Sequence, residues 1–164
     1  REEVIIETGS NYGCTTIILA QALCDAGCRG RVISIELDAD NAARARKNLE
    51  LAGLAGHAEV RVGDSRAVLP DVVAQRQGIR AVFLDASHLH DDVMAEFETL
   101  LPHLSEDALV LFDNTYAIAD EGEDSRVNGA LKSILDRHGG NLINLAHVSW
   151  YTPGLAIWQR EPAL

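Results

Sequence analysis

The sequence lacks the features that mark secreted, membrane-spanning and nucleic-acid-binding proteins. It has only three cysteines in 164 residues, an odd number that argues against a disulfide framework and favours the reducing cytoplasm. Basic residues are also few: 14 Lys and Arg stand against 25 Asp and Glu, and the net charge of -11 would repel a phosphate backbone. The apolar runs are too short to span a bilayer. We therefore expect a cytoplasmic protein with no nucleic-acid partner and no membrane association.

The sequence does contain apolar β-branched runs that alternate with segments of helical spacing. This alternation is typical of an α/β domain with a parallel sheet. The predicted strands are residues 3–8, 31–37, 58–64, 79–86 and 108–114. The predicted helices between and after them are residues 15–27, 38–53, 65–78, 91–104 and 129–140. We expect Asp38 or Asp40 to cap the second helix, and Pro70 to interrupt the third.

The C-terminal part departs from this regular spacing. Residues 115–128 are polar and acidic and predict a long loop, which in compact domains is usually functional or mobile. Residues 141–150 and 154–161 predict a closing β-hairpin joined by the turn "YTPG". With 47% hydrophobic residues, we expect residues 1–164 to form a single domain. Because the chain begins almost directly in a strand, we also expect this domain to lack an N-terminal helical segment.

Acidic or amide side chains end each of the five predicted parallel strands. Open α/β sheets bind ligands beyond the carboxyl ends of their strands, so side chains at these positions are candidate ligand contacts. Each could instead cap the helix that follows. The residues are Glu7, Glu36, Asp64, Asp85, and Asp113 with Asn114.

A glycine-bearing turn, "ETGSNYG", joins the first strand to the first helix. Gly9 and Gly13 allow a tight reversal and a close approach of a ligand to the backbone. The spacing is neither the phosphate-binding loop with its terminal Gly-Lys nor the Gly-x-Gly-x-x-Gly dinucleotide motif, which disfavours an NAD-dependent oxidoreductase. Glu7 would repel a pyrophosphate but suits a ligand with an amino or sulfonium charge. Glu36 is placed to accept hydrogen bonds from ribose hydroxyls.

Together, "ETGSNYG", "SIELD", "VGDS" and the final hairpin resemble the class I S-adenosylmethionine-dependent methyltransferases over nearly the whole chain. The resemblance implies a Rossmann-like fold with helices on both faces of a seven-stranded, mostly parallel sheet, in the order 3-2-1-4-5-7-6 with strand 7 antiparallel. It implies that Thr15 lies near the methionine carboxylate, Glu36 holds the ribose, and Asp64 with Ser65 flanks the adenine. The cofactor-binding residues implied in this way are Glu7, Thr8, Gly9, Ser10, Asn11, Gly13, Thr15, Glu36, Leu37, Asp64, Ser65 and Asp85.

Two further motifs, "FLDASH" and "LFDNT", resemble the metal-dependent O-methyltransferases of the catechol and caffeoyl-coenzyme A type. The segment after strand four also resembles a related branch that includes sugar O-methyltransferases and cephalosporin-hydroxylase-like proteins. The resemblance implies that Asp85, Asp113 and Asn114 hold a divalent ion. Two carboxylates and an amide suit Mg²⁺, and such an ion would orient and acidify a hydroxyl of the acceptor. The expected substrate is therefore a small molecule with a hydroxyl group.

A histidine stands where these O-methyltransferases carry a catalytic lysine, three residues after the strand-four Asp. His88 could take the proton from the acceptor, with Asp85 beside it, although it could also be a loop residue bonded to the backbone. His90 is a second candidate base. Asp113 and Asn114 could merely shape a turn.

Other interpretations remain open at this point. The domain could transfer a methyl group without metal, or it could be a non-catalytic module for binding or assembly. Trp150, Tyr151 and Trp158 could stack on the acceptor, or they could be core or dimer contacts. A homodimer is compatible with either interpretation of these aromatic residues.

Overall fold

The computed structural model describes residues 3–115, 125–145 and 154–161. Seven strands form one sheet in the order β3-β2-β1-β4-β5-β7-β6, which confirms the predicted order. The strands from β1 to β5 pair in parallel, whereas β7 runs antiparallel to both β5 and β6, also as predicted. The strands are β1 Glu3–Thr8, β2 Gly30–Glu36, β3 Ala58–Val62, β4 Ile79–Leu84, β5 Leu104–Asp113, β6 Asn141–Leu145 and β7 Leu155–Gln159.

Five α-helices and one 3-10 turn connect these strands within the described ranges. They are α1 Cys14–Asp25, α2 Ala39–Leu51, α3 Ser65–Val73, α4 His90–Leu100, the turn Leu101–His103, and α5 Val127–His138. No helix in those ranges is long and apolar enough to cross a lipid bilayer. Some predicted segments lie outside the described residues. They are residues 116–124 of the predicted loop, Trp150, and residues 151–153 of the "YTPG" turn, Tyr151 included.

The third helix differs from its prediction, because Pro70 lies inside α3 and does not interrupt it. A proline inside a helix costs about 3 kcal/mol. Continuing the helix buries Leu69, Val72 and Val73, each at most 2% exposed, while the proline ring faces solvent. Burial of one such side chain stabilises by about 1.5–3 kcal/mol, so the three together outweigh the proline. The helix then ends at Val73, short of the predicted residue 78.

Hydrophobic clusters cover both faces of the sheet. Successive strand residues point to opposite faces, so Ile6 lies in the larger cluster and Ile5 packs against the smaller one. Helices α1 and α2 supply the smaller cluster, whereas α3, α4 and α5 supply the larger one. Helices therefore lie on both faces of the sheet, as predicted.

Trp158 lies in the larger cluster and is 1% exposed. Its ring meets Phe97 edge to face at 5.0 Å between centroids, and its indole nitrogen donates a hydrogen bond of 2.8 Å to the Gly139 carbonyl. Burial on every side leaves no face of this ring for an acceptor. Of the two interpretations of Trp158, the structure therefore selects the core contact.

Candidate functional site

A cavity of about 690 Å³ opens at the carboxyl ends of the central strands. The chain order reverses there, because β1 has β2 on one side and β4 on the other. Such a reversal leaves a crevice between neighbouring loops. The predicted site residues that line this cavity are Gly9, Asn11, Glu36, Leu37, Asp64, Ser65, Asp85 and His88.

Other predicted cofactor contacts lie outside the lining of the cavity. Their contact with a cofactor stays a prediction. They are Glu7, Thr8, Ser10, Gly13 and Thr15.

The two glycines of the turn are required by contacts within the protein. Gly9 and Gly13 both have φ near +84°, in the left-handed region that favours glycine. A Cβ on Gly9 would lie 2.1 Å from the Asp85 carbonyl oxygen, and one on Gly13 would lie 3.1 Å from the Cα of Ala45. At both positions the space that a Cβ would need is therefore occupied by neighbouring atoms of the protein. Gly9 keeps its turn close against β4, next to Asp85.

Glu7 lies beneath this turn with no exposed surface. The Thr16 hydroxyl donates a 2.5 Å hydrogen bond to its Oε2 and ties α1 to β1. Burial raises the pKa of Glu7 from 4.5 to about 7, the nearby Ser34 and Thr16 hydroxyls lower it by less, and the charge of Asp85 adds to the rise. Glu7 therefore exchanges a proton near neutral pH inside the fold.

Glu36 is held rigidly at the wall of the cavity. Its two carboxylate oxygens accept backbone N–H bonds from Asn11 at 2.6 Å and from Asp38 at 3.0 Å. Asp38, of the two predicted candidates, caps α2 by accepting from the backbone nitrogens of Asp40 and Asn41, both at 2.9 Å. The side chain of Glu36 is thus oriented before any ligand arrives.

Asp64 combines two roles that the sequence presented as alternatives, since it caps α3 and also lines the cavity. The Arg66 guanidinium binds both of its oxygens and holds the pKa of Asp64 below its usual range. Arg66 also pairs with Asp92, which accepts a 2.7 Å hydrogen bond from the Ser87 hydroxyl. A chain of polar contacts therefore crosses the rim from α3 to α4.

Sequence reasoning missed several residues of this lining. Most of them stand within two positions of a predicted strand-end acid, which was the available signal, whereas Asn41 and Asp92 lie five and seven positions beyond Glu36 and Asp85. They are Asn41, Gly63, Arg66, Ala86, Ser87, Asp92 and the strand residue Ile35.

A second group of side chains converges beside the cavity, after β4 and β5. Ligand atoms of Asp85, His88 and Asp113 lie within 4.8 Å of one another. The Asn114 amide nitrogen lies 2.8 Å from Nδ1 of His88, and Nε2 of that ring lies 3.5 Å from the Asp85 carboxylate. The backbone of Asn114 has φ 56°, a conformation that asparagine tolerates and that aims its side chain at the group.

Asp85 and Asp113 disfavour each other's negative charge in this cluster. Burial raises the pKa of Asp113 to about 6, and the neighbouring Asp85 adds to the rise. The two acids therefore compete to carry negative charge. A positive charge between them would remove that competition.

His90 points away from the cluster. Its Nε2 lies 2.9 Å from the Ser133 hydroxyl on α5, and its Nδ1 lies 2.8 Å from the Asp91 carboxylate. It does not line the cavity. Of the two histidines considered, only His88 lies with Asp85 and Asp113.

Comparisons with known proteins agree with this fold. The family described as "Methyltransferase domain" matches residues 6–115. A catechol O-methyltransferase of Niastella koreensis is 37% identical over 83 residues, which cover 50% of this chain and 36% of that protein. A catechol O-methyltransferase of Mycobacterium tuberculosis is 29% identical over 133 residues, which cover 79% of this chain and 57% of that protein.

The fold has a solved counterpart in an O-methyltransferase from Bacillus cereus in complex with SAH. That structure has a TM-score of 0.83 and 23% identity, with 97% of this chain and 74% of that chain covered. The match to the Niastella koreensis relative spans only about a third of its length, 36%. The family match, which covers more than half of the chain, and the shared fold lead to one conclusion. The chain belongs to the methyltransferase-domain family, among the class I S-adenosylmethionine-dependent methyltransferases.

Proposed function

We propose that this protein transfers the methyl group of S-adenosylmethionine to a hydroxyl of a small molecule, with the help of a divalent cation. The observation that carries the proposal is the convergence of Asp85, His88, Asp113 and Asn114 beside a cavity lined by Glu36. The names of the relatives, catechol O-methyltransferases, support an oxygen as the methyl acceptor.

The cavity suits the nucleoside part of the cofactor. Glu36 is fixed by two backbone donors, so its remaining lone pairs are available to the two hydroxyls of a ribose. Leu37 is 72% exposed at the same edge and offers an apolar surface beside it. Asp64 and Ser65 lie further along the wall and would flank the adenine. When bound, the cofactor supplies an electrophilic methyl group on a sulfonium.

The acidic cluster suits a hard dication. Asp85 and Asp113 offer carboxylate oxygens that already repel each other. The Asn114 amide nitrogen faces His88, which leaves its carbonyl oxygen free to complete an all-oxygen set. When bound, the cation supplies charge that lowers the pKa of an acceptor hydroxyl.

His88 is the proposed base. A neutral imidazole has one ring nitrogen that can accept a proton, and in this structure the Asn114 amide nitrogen faces that ring, so the amide must turn aside when His88 takes the proton of the acceptor hydroxyl. Asp85 at 3.5 Å would stabilise the resulting imidazolium. The Asn114 contact restricts rotation of the ring. His88 and Asp85 therefore hold and receive a proton at one edge of the cavity.

Calorimetry tests the cofactor site directly. We expect S-adenosylhomocysteine to bind the unmodified protein, and Glu36→Gln to weaken binding by about tenfold or more, because an amide cannot accept at both of its ends. Glu50→Gln, at an exposed position on α2, serves as the control. Absence of binding at high micromolar ligand would contradict the proposal.

A second titration tests the cation. With S-adenosylhomocysteine present, Mg²⁺ should tighten the binding of catechol, and Asp113→Asn should abolish that effect while leaving the nucleoside affinity unchanged. Asp107→Asn, an exposed acid on the same strand, should behave as the unmodified protein does. A catechol affinity that changes with neither Mg²⁺ nor EDTA would favour methyl transfer without metal. Binding of the nucleoside without methyl transfer to any hydroxyl acceptor would favour a binding module.

Several features of the whole protein are part of the proposal. We place it in the cytoplasm, and its three cysteines are free thiols in keeping with that environment. A homodimer is compatible with the proposal.

A further inference from the structure

A buried acid on α4 lies behind the cavity wall and has no role in the proposed reaction. Glu96 is 1% exposed and sits among apolar residues of the larger cluster, next to Phe97. A carboxylate is costly to bury unless its oxygens are hydrogen-bonded. Both are: Thr8 Oγ1 donates to Oε2 at 3.0 Å, and Ser65 Oγ donates to Oε1. Burial raises the pKa of Glu96, and these two hydroxyl donors oppose the rise.

When Glu96 is ionised, the direction of these hydrogen bonds follows from its chemistry. An ionised carboxylate has no proton to give, so each hydroxyl donates its single proton to Glu96. Ser65 also lines the cavity. With its proton pointing back at Glu96, the Ser65 oxygen presents only lone pairs to a ligand.

The same acid reaches the opposite wall of the cavity. The Thr8 hydroxyl donates to Glu96 and accepts the backbone N–H of Asp85 at 3.3 Å. Thr8 itself does not line the cavity. The Asp85 N–H also donates to the Thr8 carbonyl at 3.0 Å, so Glu96 orients the Thr8 hydroxyl beside that bond and sets the hydrogen-bonding polarity of Ser65.

We propose that Glu96 is a positioning residue that makes Ser65 a pure hydrogen-bond acceptor, so that the cavity wall at Ser65 selects ligands that present a donor there. This inference rests on the proposed cofactor, whose adenine carries an exocyclic amine as the donor. A 6-oxo purine would present an acceptor to the Ser65 lone pairs and would be rejected.

The variant Glu96→Gln tests the direction of the hydrogen bonds. An amide of the same shape offers one oxygen and one NH₂ group, so it can accept from one hydroxyl and must donate to the other. The Thr8 hydroxyl already accepts the Asp85 N–H and needs an acceptor for its own proton, so we expect the glutamine oxygen to face Thr8 and its NH₂ group to face Ser65. The Ser65 proton is then released and can point into the cavity. Selection for an amine should then be lost, although the packing volume is unchanged.

The experiment compares two nucleosides by calorimetry: S-adenosylhomocysteine and its 6-oxo analogue, S-inosylhomocysteine. The unmodified protein should bind the amino form at least about tenfold more tightly, because the oxo form leaves two acceptors facing each other. Both Ser65→Ala and Glu96→Gln should bring the two affinities to within about threefold of each other. Glu98→Gln, two residues along α4 and exposed, should keep the ratio of the unmodified protein. A merely structural role of Glu96 would lower both affinities together and leave the ratio unchanged.

Each outcome decides the inference. A wild-type ratio in Glu96→Gln overturns it, as does equal binding of the two nucleosides by the unmodified protein. If Glu96→Gln does not fold, Ser65→Ala provides the test. A ratio of affinities that persists in Ser65→Ala would show that Ser65 makes no selective contact for Glu96 to direct, and it would overturn the inference. Failure of the unmodified protein to bind either nucleoside would instead overturn the proposed function, which keeps the two failures distinct.

Discussion

Replacing Glu7 by glutamine should change how the stability of this protein depends on pH. The Glu7 side chain is fully buried, and its pKa is raised from 4.5 to about 7 because burial disfavours the carboxylate. Between these two pH values, the native state holds a proton that the unfolded chain has lost. The free energy of unfolding therefore falls as the pH rises from 4.5 through about 7.

The size of this effect follows from the displacement of the pKa. One pKa unit corresponds to about 1.4 kcal/mol, so the rise from 4.5 to about 7 costs the native state roughly 3 kcal/mol once Glu7 is ionised. Most of this cost, roughly 2.5 kcal/mol, appears between about pH 5 and about pH 8. A glutamine at this position keeps an acceptor for Thr16 and carries no charge at any pH.

Urea unfolding at several pH values between about 5 and 8 measures the effect. The difference in free energy of unfolding between Glu7→Gln and the unmodified protein should shift in favour of the variant by roughly 2.5 kcal/mol across this range. Taking the difference removes the contributions of other titrating groups, Asp113 included. Glu50→Gln, on an exposed face of α2, should give a profile parallel to that of the unmodified protein. A parallel profile for Glu7→Gln would refute the reasoning.

Three further substitutions test the fold around the site by urea unfolding. Gly9→Ala should cost about 2–5 kcal/mol, because it combines a left-handed backbone with a clash against Asp85, whereas Gly56→Ala, in open space, should cost far less; similar losses would contradict this account. Asp38→Ala should cost about 1 kcal/mol by removing the cap of α2, and no loss would show that the cap is not needed. Phe97→Ala should cost about 3–5 kcal/mol as it opens a cavity beneath Trp158, and a loss below 1 kcal/mol would count against the packing described.

Much of the fold could be predicted because its signals are local. The strands alternate with helices at regular spacing, and the β-branched runs at β1, β2 and β4 correspond closely to the observed strands. Boundaries were less accurate where packing overrides local preference. Pro70 stays inside α3 because burial of its neighbours outweighs a lost backbone hydrogen bond.

The residues of the site were predictable by position, whereas their contacts were not. The carboxyl ends of parallel strands meet at one edge of a sheet, so Glu36, Asp64 and Asp85 could be placed together from the sequence alone. Nothing local shows that the Asp85 carbonyl fills the space above Gly9, or that the Arg66 guanidinium pairs with Asp92. These contacts join segments that are distant in sequence.

The sequence by itself determined the class of fold, the strand order through a family resemblance, and the acids that surround the cavity. Those properties depend on periodicity, turn glycines and residue type, which are local features of the sequence. The tertiary structure alone decided which groups lose contact with water and which pairs meet. It buried Glu7 and Trp158, turned His90 toward α5, and placed Glu96 behind Ser65. Burial and pairing depend on elements that are adjacent in space, and they set both the pKa values and the direction of hydrogen bonds.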